Sequence, residues 1–250
     1  MTAESIKWFW YASPQTFSPL ARRIARICAV LAALFAIAGL YTGFFVAPTD
    51  AQQGEAYRII FIHVPAAWMS MLIYVVMAFW AALGLALNTR LSFLMTRALA
   101  PTGALFTFIA LWTGALWGRP TWGTYWVWGD TRLMTELILL FLYFGVMALQ
   151  ASIDDRRRAD RAGALLAIVG VVNIPIIYYS VKWWNTLHQG ASVSFTKAPS
   201  MAATMFTGMI LMALAFWMYS IAVALTRVRC EIAENQGPTT FSSAERPAVQ

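Results

Sequence analysis

The chain has only two histidines, His63 and His188. A neutral imidazole is the commonest side-chain ligand of metal ions, and a protonated one is not a ligand at all. Between the two lies the most unusual stretch of the sequence, Trp-Gly-Arg-Pro-Thr-Trp-Gly-Thr-Tyr-Trp-Val-Trp-Gly-Asp-Thr-Arg at 117–132. It gathers Trp117, Trp122, Tyr125, Trp126 and Trp128, flanks them with Arg119 and Arg132, and adds Asp130. Its glycines and Pro120 predict a short irregular or interfacial element, in effect a flat aromatic shelf at a surface.

Two readings of this shelf stay open on chemistry alone. One is an aromatic belt that anchors helices at the lipid headgroups. Trp183 with Trp184, and Trp8 with Trp10, fit that reading. The other is a platform for a large, flat, apolar ligand, because aromatic faces stack on planar π systems and cofactor pockets are mainly apolar with a few polar groups. A porphyrin is such a ligand, and Arg119 and Arg132 would meet its carboxylates. Each histidine alone reads as an ordinary hydrogen-bonded polar residue. Beside a porphyrin, the pair could fill both axial positions of its iron. They could not build a structural zinc site, which wants four ligands, since Asp50, Glu55 and Asp130 are scattered. Cys28 and Cys230 lie near opposite ends with no CxxC. That excludes a disulfide framework, a thiolate metal site and covalent c-type haem attachment.

These residues need elements to position them, and the composition says where those elements lie. Of 250 residues 60% are hydrophobic and 12% charged, with 12 tryptophans and 16 phenylalanines. Soluble domains carry about 25% charged residues, so most of this surface faces lipid. Six stretches reach the length of a span, at 24–46, 65–87, 98–116, 133–149, 162–181 and 201–225. The first is too long for the core of a signal peptide and reads as a retained helix. The expected fold is an all-α membrane protein, a bundle of six transmembrane helices. Residues 1–230 form one domain, and the polar stretch 231–250 reads as a disordered tail.

Arginine and lysine distribution sets the orientation. One side holds Lys7, Arg22, Arg23, Arg26, Arg90 and Arg97, the cluster at 156–161, and Arg227, Arg229 and Arg246. The other holds only Arg58, Arg119, Arg132, Lys182 and Lys197. Both termini are therefore expected to be cytoplasmic. The net charge of +7 marks membrane orientation, and nucleic acid is not an expected partner. The loops 47–64, 117–132 and 182–200 then share the extracytoplasmic side. Pro65 predicts a helix start that leaves His63 at the mouth of the second span. His188 falls in the loop after Trp184.

Inside the spans, Glu136 lies about one turn into the fourth. It is either a functional intramembrane acid or a first-turn carboxylate favoured by the helix dipole. Asn173 and Pro175 interrupt the fifth span and predict a kink. Gly39 with Gly43, and Thr204 with Gly208, read as small-residue helix contacts.

The run Trp122-Gly123-Thr124-Tyr125-Trp126-Val127-Trp128-Gly129-Asp130-Thr131-Arg132-Leu133, leading into Thr135-Glu136-Leu137, resembles the tryptophan-rich "WWD" signature of haem-handling proteins. Size, six spans and one histidine on each side of the signature make the chain most similar to the CcmC haem exporter family of cytochrome c maturation. The family has aspartate directly after the last tryptophan, whereas here Gly129 precedes Asp130. The resemblance implies haem b resting on the tryptophan segment, with His63 and His188 as axial ligands, in a bacterial inner membrane and on its periplasmic side. It implies delivery to the haem chaperone CcmE, and assembly with the small membrane protein CcmD and the ABC pair CcmA and CcmB. This chain has no GxxxxGK[ST] phosphate loop of its own. It also lacks a Ser-His-Asp or Glu-His constellation, so it is expected to be a carrier and not an enzyme. Two alternatives are a membrane electron carrier with permanent bis-histidine haem, and an ABC permease subunit without a haem site.

Overall fold

The computed structural model describes residues 14–188, 193 and 199–236. Six helical segments are long and apolar enough to cross a membrane, and no strand occurs among the described residues. Helix α1 (Pro14–Tyr41) runs into a π-helical turn at Thr42–Val46. A short 3-10 helix at Glu55–Ile59 leads directly into α2 (Ile60–Leu87). Then come α3 (Arg90–Trp122) and α4 (Thr131–Ser152). The fifth span is broken into α5 (Arg156–Gly170) and α6 (Asn173–Trp183), and α7 (Ala203–Gln236) is the sixth.

The fifth span breaks where Asn173 and Pro175 predicted. Pro175 falls in the first turn of α6, where its missing N–H costs nothing. Asn173 Nδ2 donates to the Thr135 carbonyl at 2.9 Å, tying the break to α4. The last helix extends further than expected. It continues past 225 to Gln236, into the stretch read as a disordered tail, and Glu231 pairs with Arg156 at the start of α5. An ion pair across two helices supplies order that composition alone does not reveal. The rest of that tail, and Lys7, Trp8, Trp10, Lys197 and Arg246, lie outside the described residues.

Helix α1 packs chiefly on α7, and α2 on α3. Without a hydrophobic drive between helices in lipid, close approach of backbones must supply the contact. Small residues on α1 do this: Ala21, Ala25, Cys28 and Ala32 are buried. A Cβ on Gly39 would stand 2.8 Å from Met212, and one on Gly43 only 2.6 Å from the Phe61 ring. Gly208 meets the same ring from α7. Phe61 is fully buried there, with Tyr57 against it.

This packing explains the early start of α2. Pro65 predicted that α2 begins near it, yet helix begins at Ile60 and the 3-10 turn still earlier. The burial of Tyr57 and Phe61 outweighs the local preference of a residue before proline. His63 consequently sits in the first turn of a helix and not in a loop.

Gly43→Ala should lower stability by about 1–3 kcal/mol, because the ring it meets has no free space to enter. Denaturation of the purified protein in detergent measures this. An unchanged midpoint would mean that Phe61 is not the wedge between these helices.

Candidate functional site

Helix α3 is the spine of the site. It extends through Trp122, so Trp117, Arg119 and Trp122 are helical, and only 123–130 is irregular. Gly123 ends the helix at φ +80°, with its N–H on the Arg119 carbonyl at 3.1 Å. That left-handed conformation favours glycine. Gly118 lets the chain fold back, since a Cβ there would meet the Thr124 carbonyl oxygen at 2.9 Å.

His63 leans on the same helix. Its Nδ1 lies 3.1 Å from Thr113 Oγ1. The Thr113 hydroxyl hydrogen is engaged with the Ile109 carbonyl at 2.6 Å. With that hydrogen engaged its oxygen is placed to accept from the ring, which favours the Nδ1–H tautomer of His63 and leaves Nε2 with the lone pair. A metal-binding histidine is oriented in this way by the hydrogen bond of its other nitrogen. Gly114 gives the ring its room, because a Cβ there would stand 2.9 Å from His63 Cε1. Trp117 packs edge-on against His63, with centroids 5.6 Å apart, and donates from Nε1 to Gln53 at 2.8 Å.

His188 is positioned by a different device. Asp130 is buried and caps α4, accepting from the Leu133 N–H at 3.0 Å. Its second oxygen accepts from the Leu187 N–H at 2.8 Å, pinning the loop that carries His188. The His188 Nδ1 then lies 3.7 Å from Asp130 Oδ1, and its ring lies 5.0 Å from that of Trp122. Burial, followed by the neighbouring Arg132 charge, lowers the His188 pKa to about 4 in spite of Asp130. The ring is thus neutral at pH 7, and the approach to Asp130 is not an ion pair. A carboxylate on the Nδ1 side favours the Nδ1–H tautomer, which again leaves Nε2 as the free lone pair.

The structure brings His63, His188, Trp117, Trp122, Asp130 and Arg132 to one end of the bundle, His63 against Trp117 and His188 against Trp122 of the same helix. It separates the remaining aromatics. Tyr125 and Trp128 are exposed, and Trp126 and Trp128 cross at 69°. The segment is therefore not the coplanar shelf expected from composition. It has a helical arm facing the histidines and an irregular arm at the surface. Arg119 remains exposed, bonded to the Gly123 carbonyl and lying over Tyr125. Arg132 turns inward instead of flanking the aromatics, and donates to the Ile177 carbonyl at 3.2 Å. Two buried polar atoms at this end lack a partner, Trp126 Nε1 and His188 Nδ1. Buried polar groups are ordinarily paired, so an acceptor brought by a ligand would suit the indole. Beneath them Glu136 is buried with Ser70 Oγ at 2.7 Å, joining α4 to α2. No cluster of three or more metal-ligating side chains occurs among the described residues.

Sequence reasoning missed Thr113, Gly114, Gln53 and Ser70. The only trace of the first two is a Thr-Gly pair interrupting an apolar span.

Comparison with known proteins gives a consistent result. The family model described as "Heme exporter protein C" matches residues 7–242. The Heme exporter protein C of Haemophilus influenzae is 42% identical over 246 residues, covering 97% of each chain. That of Escherichia coli K12 is 54% identical over 177 residues, covering 68% of this chain and 72% of the relative. A ccmC-like mitochondrial protein of Marchantia polymorpha, named for cytochrome c biosynthesis, is 49% identical over 155 residues, covering 62% of this chain and 65% of the relative.

Two measurements check the geometry without any ligand. Nitrogen NMR of histidine-labelled protein should find His63 as the Nδ1–H tautomer, and Thr113→Val should abolish that preference. An Nε2–H ring in the wild type would contradict the assignment. Asp130→Ala should accelerate hydrogen exchange at the Leu187 amide about tenfold to a hundredfold, the range expected for a bond to a charged group. Unaltered exchange would mean that the loop is held by something else.

Proposed function

From the premise that this chain belongs to the haem exporter protein C family, a multi-pass membrane family of haem export in cytochrome c biogenesis, we propose that it presents haem at its histidine end to the chaperone CcmE. That end faces the periplasm, and the arginine-rich end faces the cytoplasm of a bacterial inner membrane. The observation that carries this reading is the pair of histidines at one end of the bundle, His63 hydrogen-bonded through Nδ1 to Thr113 and His188 with Nδ1 3.7 Å from Asp130. Haem is cargo here, and its iron would take one imidazole from α2 and one from the loop after α6. The chemistry of haem b stays with the haem. The protein binds, orients and releases it, and is not an enzyme.

The residues divide this work. His63 is fixed on a helix by Thr113 and Gly114. His188 rides on a loop, next to the Leu187 amide that bonds Asp130, which suits a ligand that must let go. A permanent electron carrier would be expected to hold both histidines on facing helices. Trp117, Trp122 and Trp126 supply apolar faces, and Trp126 Nε1 is an unused donor for a haem carboxylate. Exposed Tyr125, Trp128 and Arg119 offer a surface to the acceptor protein. Asp130 acts through His188 and the loop, which gives it a role despite Gly129. CcmD and the ABC pair CcmA and CcmB complete the assembly, and the pair supplies the ATP hydrolysis.

The test is the visible spectrum of the purified protein and its transfer to CcmE. Wild type should carry a Soret band that decays as CcmE is added. His63→Ala and His188→Ala should each lose haem on washing, and Thr113→Val should weaken haem affinity about tenfold, as losing an outer hydrogen bond does. Normal haem content in the double histidine variant would refute the ligand assignment. Stable haem that never passes to CcmE would refute the delivery step.

A further inference from the structure

At the end of the bundle opposite the histidines, an open groove of about 930 Å³ runs between α1 and α3, with α7 as its floor. We propose that it is a binding site for one anionic phospholipid of the arginine-side leaflet. The inference is independent of the haem reading.

The groove has two ends of different chemistry. Its mouth is lined by Arg22 and Arg26 of α1 and by Arg227 and Arg229 of α7, and no carboxylate is among the described residues that line it. Arg227 is held to α3, donating to the Ala98 carbonyl at 3.1 Å and to Thr102. Arg229 Nε is buried without a hydrogen-bond partner, an unused donor at the same mouth. Positive charge gathered at headgroup depth attracts anionic lipid at about 1 kcal/mol per basic residue. The interior is apolar. Ala29, Ala33 and Ala36 make a smooth wall on α1, facing Phe106 and Phe216. At 1.5 Å per residue, Arg22 to Ala36 spans about 21 Å. Half of a bilayer, headgroups included, is about 20–22 Å. The groove is therefore one leaflet long, with the charge where the phosphate lies and alanines where an acyl chain lies. Haem fits poorly, because no histidine, cysteine or methionine to hold its iron is among the described residues that line the groove.

The experiment uses the full chain purified in detergent, offered phosphatidylglycerol or phosphatidylethanolamine, and read by native mass spectrometry. Wild type should retain one phosphatidylglycerol in preference to phosphatidylethanolamine. R22Q/R26Q should lower phosphatidylglycerol retention about thirtyfold and leave phosphatidylethanolamine unchanged, in line with the loss of two basic residues. Ala33→Phe keeps the arginines and fills the exposed wall, and should lower retention of both lipids. A melting curve for each variant separates these effects from misfolding. Equal retention of the two lipids by wild type, or phosphatidylglycerol retention unmoved in both variants, would overturn the proposal. So would a stoichiometric partner helix in the groove of the isolated complex, with no lipid there.

Discussion

A neutral imidazole in apolar surroundings has one nitrogen that must donate and one that can accept. Which is which decides what the ring can bind. For His63 the choice is made by an acceptor on the protein. Thr113 has already given its own hydrogen to the Ile109 carbonyl, so it is placed to accept from His63. Asp130 lies on the Nδ1 side of His188. Much of the surrounding architecture serves these two arrangements. Helix α3 must run long enough to carry Thr113, Gly114, Trp117 and Trp122 along one side. Helix α2 must start early enough to lay His63 against it, which the burial of Tyr57 and Phe61 ensures.

The two histidines are held unequally, and the inequality has a physical source. His63 belongs to a regular helix in contact with α3, where a glycine clearance fixes the ring. His188 belongs to a connection in which the neighbouring Leu187 amide is tied to Asp130, a carboxylate that also caps α4. Moving Asp130 would disturb the start of α4 and the His188 loop together. Arg132 and Glu136 follow on the same helix, so α4 couples the site to the polar contact with Ser70 on α2.

Much of the fold was legible because lipid imposes a simple code. Long apolar runs mark the six spans, and Asn173 with Pro175 marks the break in the fifth. Gly39, Gly43 and Gly208 make the close helix contacts expected of small residues. The site was legible in its parts but not in its arrangement. Histidines and tryptophans are rare enough to be noticed, whereas Thr113 and Gly114 resemble ordinary residues of a span. Pro65 misled on the helix start, because a local preference was outweighed by packing around Phe61. The tryptophans suggested one flat shelf, but α3 continues through Trp122 and turns at Gly123, so the rings divide between a helix and a surface arm. Arg132 was expected beside the aromatics and turns instead to the backbone of α6.

The most direct test is electron paramagnetic resonance of the full chain loaded with ferric haem. Two Nε2 ligands predict a low-spin signal in wild type, turning to high spin when either His63 or His188 is replaced by alanine. A high-spin signal in the wild type, or a low-spin signal that survives loss of both histidines, would contradict the account.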